Sequence, residues 1–131
     1  MSPMAVLDLL TDQPLADRRA LRRRLLEDSD GAFHRDIVRA LGLPQAALPP
    51  ALRRLPRRQP SRRATQSLLR VLGVTVRAHA LFGDIAPTRR WLATPLAMRG
   101  GPRGFPLADV MRPAHRRVLV TAIRRTAHGI Y

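Results

Sequence analysis

Apolar residues recur at helical spacing along most of the chain. The first ten residues hold a short apolar run, Met4, Val6, Leu7, Leu9 and Leu10, readable as one or two helical turns or as a frayed arm. Thr11-Asp12-Gln13-Pro14 is a helix start, because Asp12 can accept from free N–H groups and Pro14 tolerates the first turn. From Leu15 to Asp28 the pattern is helical, with Leu21, Leu25 and Leu26 as its apolar positions, and Ser29-Asp30-Gly31 stops it. Phe33, Ile37, Ala40 and Leu41 then share one face of a second helix, closed by Gly42, which accepts positive φ.

Pro44 opens a further short helix, but Pro49-Pro50 interrupts it. Pro50 has no N–H to give, and an interior proline costs about 3 kcal/mol, so two short turns at 44–48 and 49–55 are predicted. Arg53 to Arg63 holds six arginines divided by Pro56 and Pro60, and reads as a basic loop. Ser61 can cap a long helix that runs to about Phe82 on a stripe of Ala64, Leu68, Leu69, Leu72, Val76 and Ala80. Gly73 interrupts that stripe at a cost of about 1 kcal/mol, either as a weak point or as a place of close packing.

Gly83-Asp84 separates the long helix from another at Ile85 to Ala93. A short turn at Thr94-Pro95 and a Gly/Pro/Arg loop over 99–105 follow, then a short helix at 106–111. Pro113 opens the last helix, with Ala114, Val118, Leu119, Ala122, Ile123 and Ala127 as its buried stripe, Val120 on the arginine face, and Gly129 at its end. No stretch alternates as a strand does, and no repeat is present. The expected fold is all-α: a small bundle of six or seven helices, divided into 1–32, 33–82 and 83–131.

Charge adds a functional direction. The net charge is +15 and every basic residue other than histidine is Arg. Residues 1–36 hold six Arg and seven acids, 37–83 hold nine Arg and no acid, and 84–131 hold nine Arg and two Asp. A central segment without a carboxylate is the footprint of phosphate binding, though a solvated face in an arginine-rich proteome has the same composition. Without cysteine there is no disulfide framework, cysteine-bound zinc or thiol nucleophile, in keeping with a cytoplasmic protein. No run approaches the roughly 20 apolar residues that span a bilayer, and no secretion signal is recognisable, so no membrane partner is expected.

Catalytic constellations are sparse. His34, His79, His115 and His128 lack metal-ligand spacing, and Asp84 and Asp109 sit where helix caps are expected. Serine and threonine hydroxyls have no base and acid nearby in sequence, and the glycine loop lacks the lysine of a phosphate-binding loop. Neither an enzyme nor a cofactor is expected. Segment 33–55 does follow the order of a helix-turn-helix: Ile37, Val38 and Leu41 would anchor the first helix, and Gln45 would stand at the tip of the second, where an amide can pair with adenine. Arg53, Arg54, Arg57, Arg58, Arg62 and Arg63 would lie near phosphates. Trp91 reads as a core aromatic that also supports a contact surface. Ile130-Tyr131, apolar residues beyond a helix end, read as a tail offered to a partner or as a frayed terminus.

The order L-F-G-D, W-L-x-x-P, F-P-L-x-D-V, R-V-L and I-R-R-x-x-H-G-I-Y resembles the toxin-binding domain of Xre/MbcA/ParS-type antitoxins, and I-V-R-A-L-G-L-P-Q-A-A-L with S-L-L-R-V-L resembles their helix-turn-helix part. Together these cover residues 33–131. The resemblance implies an antitoxin whose C-terminal region covers the NAD site of a RES-domain toxin. It also implies dimerisation, hetero-oligomers with the toxin, and repression of its own DNA operator. Carried onto this chain, the toxin-binding surface would be Trp91, Leu92, Pro95, Arg99, Arg103, Arg124, Arg125, His128, Gly129, Ile130 and Tyr131. The chain departs from the family pattern at Leu96, where Asn is usual, at Pro113-Ala114, where Gly is usual, and at Pro49-Pro50. An orphan DNA-binding regulator without a toxin partner, or an adaptor for another protein, fits the same residues.

Overall fold

A computed structural model describes residues 7, 8, 10, 18–97, 103–108 and 110–127. The fold is all-α. Helix α1 is Arg18–Leu26 and α2 is Ala32–Leu41. A single 3-10 turn, Gln45–Ala47, precedes the one-turn helix α3, Pro50–Arg53. Then come α4, Arg62–Phe82, α5, Ile85–Leu92, and α6, Pro113–Ala127. Leu7, Asp8 and Leu10 are helical, and Leu7 and Leu10 are buried.

Helix α4 is the axis. It packs against α1, α3, α5 and α6. Surrounded in this way, it buries more than one stripe: Val71, Val74, Thr75, Ala78 and His79 join Ala64, Leu68, Leu72 and Val76 inside, while Ala80 is exposed. The amphipathic pattern under-reports such a helix, because small and β-branched residues fill the sides that face its neighbours. Thr75 is accommodated by donating its hydroxyl to the Val71 carbonyl at 2.8 Å. One apolar core takes residues from all three expected segments, among them Leu21, Ile37, Leu68, Leu92 and Ile123. Each such buried side chain contributes roughly 1.5–3 kcal/mol.

The ends of the helices follow local chemistry. Ser61 Oγ accepts from the Ala64 N–H at 3.1 Å, the cap expected for α4. Gly42 and Gly83 close α2 and α4 at φ 65° and 80°. Asp84 Oδ1 accepts from the Ile85 N–H at 2.7 Å at the start of α5.

Three local expectations change. Residues 106–108, 110 and 111 lie in hydrogen-bonded turns, Ala108 N–H to the Phe105 oxygen and Val110 N–H to the Leu107 oxygen, where a helix over 106–111 is expected. A two-residue antiparallel ladder pairs Leu96 with Gly104 and Ala97 with Arg103, too short to leave an alternating pattern in the sequence. In α6, Leu119 and Ile123 are buried and Ala122 packs beside them, but Val118 is 41% exposed and Val120 is half-buried. The helix is therefore rotated from the predicted stripe, toward the side that meets α4. The side chains of Ala114 and Ala127 lie outside the described residues.

Candidate functional site

The basic segment is held by hydrogen bonds that its sequence does not advertise. Leu48 and Pro49 are extended, with ψ near 150°, so the 3-10 turn and α3 are separate pieces. Gln45 Nε2 donates to the Arg53 carbonyl at 3.1 Å, and Arg53 Nε donates to the Leu48 carbonyl at 3.1 Å. These two bonds fold the pieces onto each other. A helix that reads a DNA groove needs consecutive turns to carry several side chains to base edges. Here the two prolines leave one 3-10 turn and one α turn, and the Gln45 amide is engaged within the fold.

The following loop is tied to the start of α2. Arg35 Nη1 donates to the carbonyls of Asp30 at 3.0 Å and Pro56 at 3.1 Å. Gly31, at φ 75°, lies so close that a Cβ would stand 2.9 Å from the Pro56 oxygen. Arg53, Arg54, Arg57, Arg58, Arg62 and Arg63 are all exposed on this anchored frame.

The C-terminal motif residues divide between the core and the surface. Trp91 is 6% exposed, Leu92 is buried, and the Trp91 ring meets Phe82 at 6.2 Å between centroids, tilted by 49°. Leu107 and Val110 are buried, and His115 Nε2–H donates to the Pro106 carbonyl at 2.8 Å, fastening the turn at Pro106 to α6. Arg89 reaches from α5 to the end of α2, with Nε 3.1 Å from the Leu41 oxygen and Nη2 2.8 Å from the Ala40 oxygen. Of the expected toxin-binding residues, Pro95, Arg124 and Arg125 are exposed. Arg103 is described only through its backbone ladder, and Arg99, His128, Gly129, Ile130 and Tyr131 lie outside the described residues.

Two arrangements escaped the linear sequence. The first is a buried chain of polar groups. His34 Nδ1 is 2.6 Å from Asp28 Oδ2, and His34 Nε2 is 2.9 Å from Thr65 Oγ1. A carboxylate only accepts, so Nδ1 carries the hydrogen toward Asp28. The order acid, imidazole, hydroxyl is that of an activated nucleophile. Thr65, however, is only 7% exposed in the first turn of α4, and the three groups tie the α1–α2 turn to that helix.

The second is a groove. Adjoining cavities of about 400, 470 and 390 Å³ follow one face of α4 between α1 and α6. Arg18 and Arg22 line one wall and Arg117 another, while Arg62, Arg70 and Arg77 come from α4 itself. The spacing Arg62, Gln66, Arg70, Gly73 and Arg77 places all five on one helical face, a signal present in the sequence but hidden under the apolar stripe.

Among the described residues no group of three His, Asp or Glu could hold a metal, and no helix is long and apolar enough to cross a membrane. No protein-family model, curated protein or solved structure matches the chain.

Proposed function

We propose that this chain is an antitoxin of a type II toxin–antitoxin pair, which binds a RES-domain toxin and occludes its NAD site. The reading is supported by the motif order L-F-G-D, W-L-x-x-P and F-P-L-x-D-V, and by one structural observation. Phe82, Trp91, Leu107 and Val110, widely separated in sequence, pack into the same core as Leu119 and Ile123 of α6. The motif thus frames the last helix and the face around it, with Pro95, Arg124 and Arg125 available for contact. The protein would act in the cytoplasm as a homodimer and as a hetero-oligomer with the toxin, without catalysis or a cofactor of its own.

The second half of the proposal is autorepression. It is supported by the exposed arginines at 54, 57, 58, 62 and 63, in a stretch from 37 to 83 without a carboxylate. With the reading helix broken, operator contacts would fall on phosphates more than on base edges. A regulator without a toxin partner is the alternative.

The deciding experiment is co-expression with the product of the adjacent reading frame, read by co-purification and by cellular NAD. A stable complex with preserved NAD is the expected result, and a chain lacking Gly129 to Tyr131 should protect less. Absence of a complex, with the same NAD in the presence and absence of this chain, overturns the antitoxin reading.

A further inference from the structure

We propose that the arginine-walled groove along α4 docks an acidic amphipathic helix of a protein partner. Its carboxylates would meet the guanidiniums and its apolar side chains would settle over Leu69 and Gly73. The proposal does not depend on the toxin reading.

The charge is one-sided. Arg18, Arg22, Arg62, Arg70, Arg77 and Arg117 converge on the groove from three helices, and all six are exposed. None of their guanidiniums has a hydrogen-bond or ion-pair partner among the described residues, and none of the described lining residues is acidic. Guanidinium is the side chain best matched to carboxylate, because its planar fork can donate two parallel hydrogen bonds.

The floor is apolar, which separates a peptide from a phosphate backbone. Leu69 lines all three cavities, Val74, Leu119 and Ile123 line the first, and Leu26, 59% exposed, lines the third. Phosphates gain nothing from such a surface, whereas leucines of an amphipathic helix are removed from water on it.

Gly73 sharpens the fit. Glycine within a helix costs about 1 kcal/mol relative to alanine. Its backbone is not in the left-handed region, and a Cβ placed there would meet nothing within 4 Å. The fold itself makes no demand for glycine at this position. It lies where the first two cavities meet and leaves a notch in the floor. From Arg62 to Arg77 the face is about 22 Å long, enough for about four turns of helix.

The chain supplies a precedent for the apolar half of that occupant's chemistry. Leu7 lies in the stretch L-D-L-L-T-D-Q-P-L-A-D, which carries acids and no base, and its buried side chain lines the middle cavity.

The test uses the full chain and three fluorescent probes, read by anisotropy at low and moderate salt. One is a Glu/Ala/Leu peptide of about 16 residues with leucines on one helical face. The second has the same charge with glutamine for leucine, and the third is a short DNA duplex. The leucine peptide should bind at least about tenfold tighter than its glutamine counterpart. Arg70→Glu with Arg77→Glu, and separately Gly73→Leu, should each weaken it by about tenfold. Gly73→Ala should raise the thermal midpoint, which checks that position 73 tolerates a side chain. Equal binding of the two peptides, or wild-type affinity in both groove variants, overturns the proposal. So does tighter binding of the duplex that disappears in the same variants. Failure of the toxin complex leaves these outcomes unchanged.

Discussion

Asp28 and His34 share a buried carboxylate oxygen: Oδ2 accepts from the His34 backbone N–H at 2.9 Å and lies 2.6 Å from the ring Nδ1. Burial pushes the Asp28 carboxyl up, but the hydrogen bonds from His34 and from the Phe33 N–H outweigh it and hold the group below its ordinary value of 3.8. A carboxyl lowered on folding contributes stability that is present above the unfolded value and lost as pH falls through the folded one. The thermal midpoint should therefore fall as the solution is acidified below about pH 4. Asp28→Asn should be less stable at neutral pH and should lose that part of the acid dependence. Asp28→Ala, which leaves several buried donors without an acceptor, should cost about 3 kcal/mol in chemical denaturation.

Arg89 holds the end of α2 through the carbonyls of Ala40 and Leu41. Those oxygens are among the last of the helix and have no partner within it, and the guanidinium also meets the negative end of the helix dipole. Arg89→Met should cost about 1.5–3 kcal/mol, with Arg89→Lys restoring part of it. Gly42→Ala should be destabilising for another reason: φ is 65° there, and an L residue in that region costs about 1–2 kcal/mol. Equilibrium denaturation of the single and double variants checks both, and the double variant should fall short of additivity because the two positions are in contact.

The caps at Ser61, Gly42, Gly83 and Asp84 are legible in the sequence because each depends on one residue and its immediate neighbours. So is the break at Pro49-Pro50, for the same reason. What escapes a linear reading is set by residues far apart. Thr65 meets His34 across 31 positions, and Arg89 meets Leu41 across 48. The orientation of α6 departs from the expected stripe because Val118 and Leu119 are equally apolar, and contact with α4 decides between them. The groove stays hidden because its arginines come from three helices whose placement no local pattern specifies.

Among the described residues, Trp91 Nε1 and Ser67 Oγ are buried without a hydrogen-bond partner. An unsatisfied buried donor costs about 1–3 kcal/mol. Ser67→Ala should therefore be neutral or stabilising by up to about 1 kcal/mol. Trp91→Phe keeps an aromatic ring against Phe82 while removing the free donor, and should lose far less than Trp91→Ala, which opens a cavity and should cost about 3–5 kcal/mol. Thermal midpoints of the three variants settle the order. A collapse in Trp91→Phe as large as in Trp91→Ala would mean that the indole N–H has a partner in the folded protein.

Gln45 and the loop arginines separate base reading from phosphate binding. Gln45 is engaged with the Arg53 carbonyl, and Arg53 with the Leu48 carbonyl, so changing either disturbs the fold of 45–53. Gln45→Ala should lower stability by about 1 kcal/mol without altering preference among DNA sequences. Arg57, Arg58, Arg62 and Arg63 are exposed and have no such internal task among the described residues. Replacing them by Ala should leave the thermal midpoint nearly unchanged while weakening duplex binding on every sequence. The slope of log affinity against log salt should shrink by about 0.9 for each phosphate no longer neutralised. Electrophoretic shift or anisotropy across a salt series gives that slope directly. An unchanged slope in the four-arginine variant would move the nucleic-acid surface off this loop, and a base preference that disappears only in Gln45→Ala would restore a reading role to the 3-10 turn.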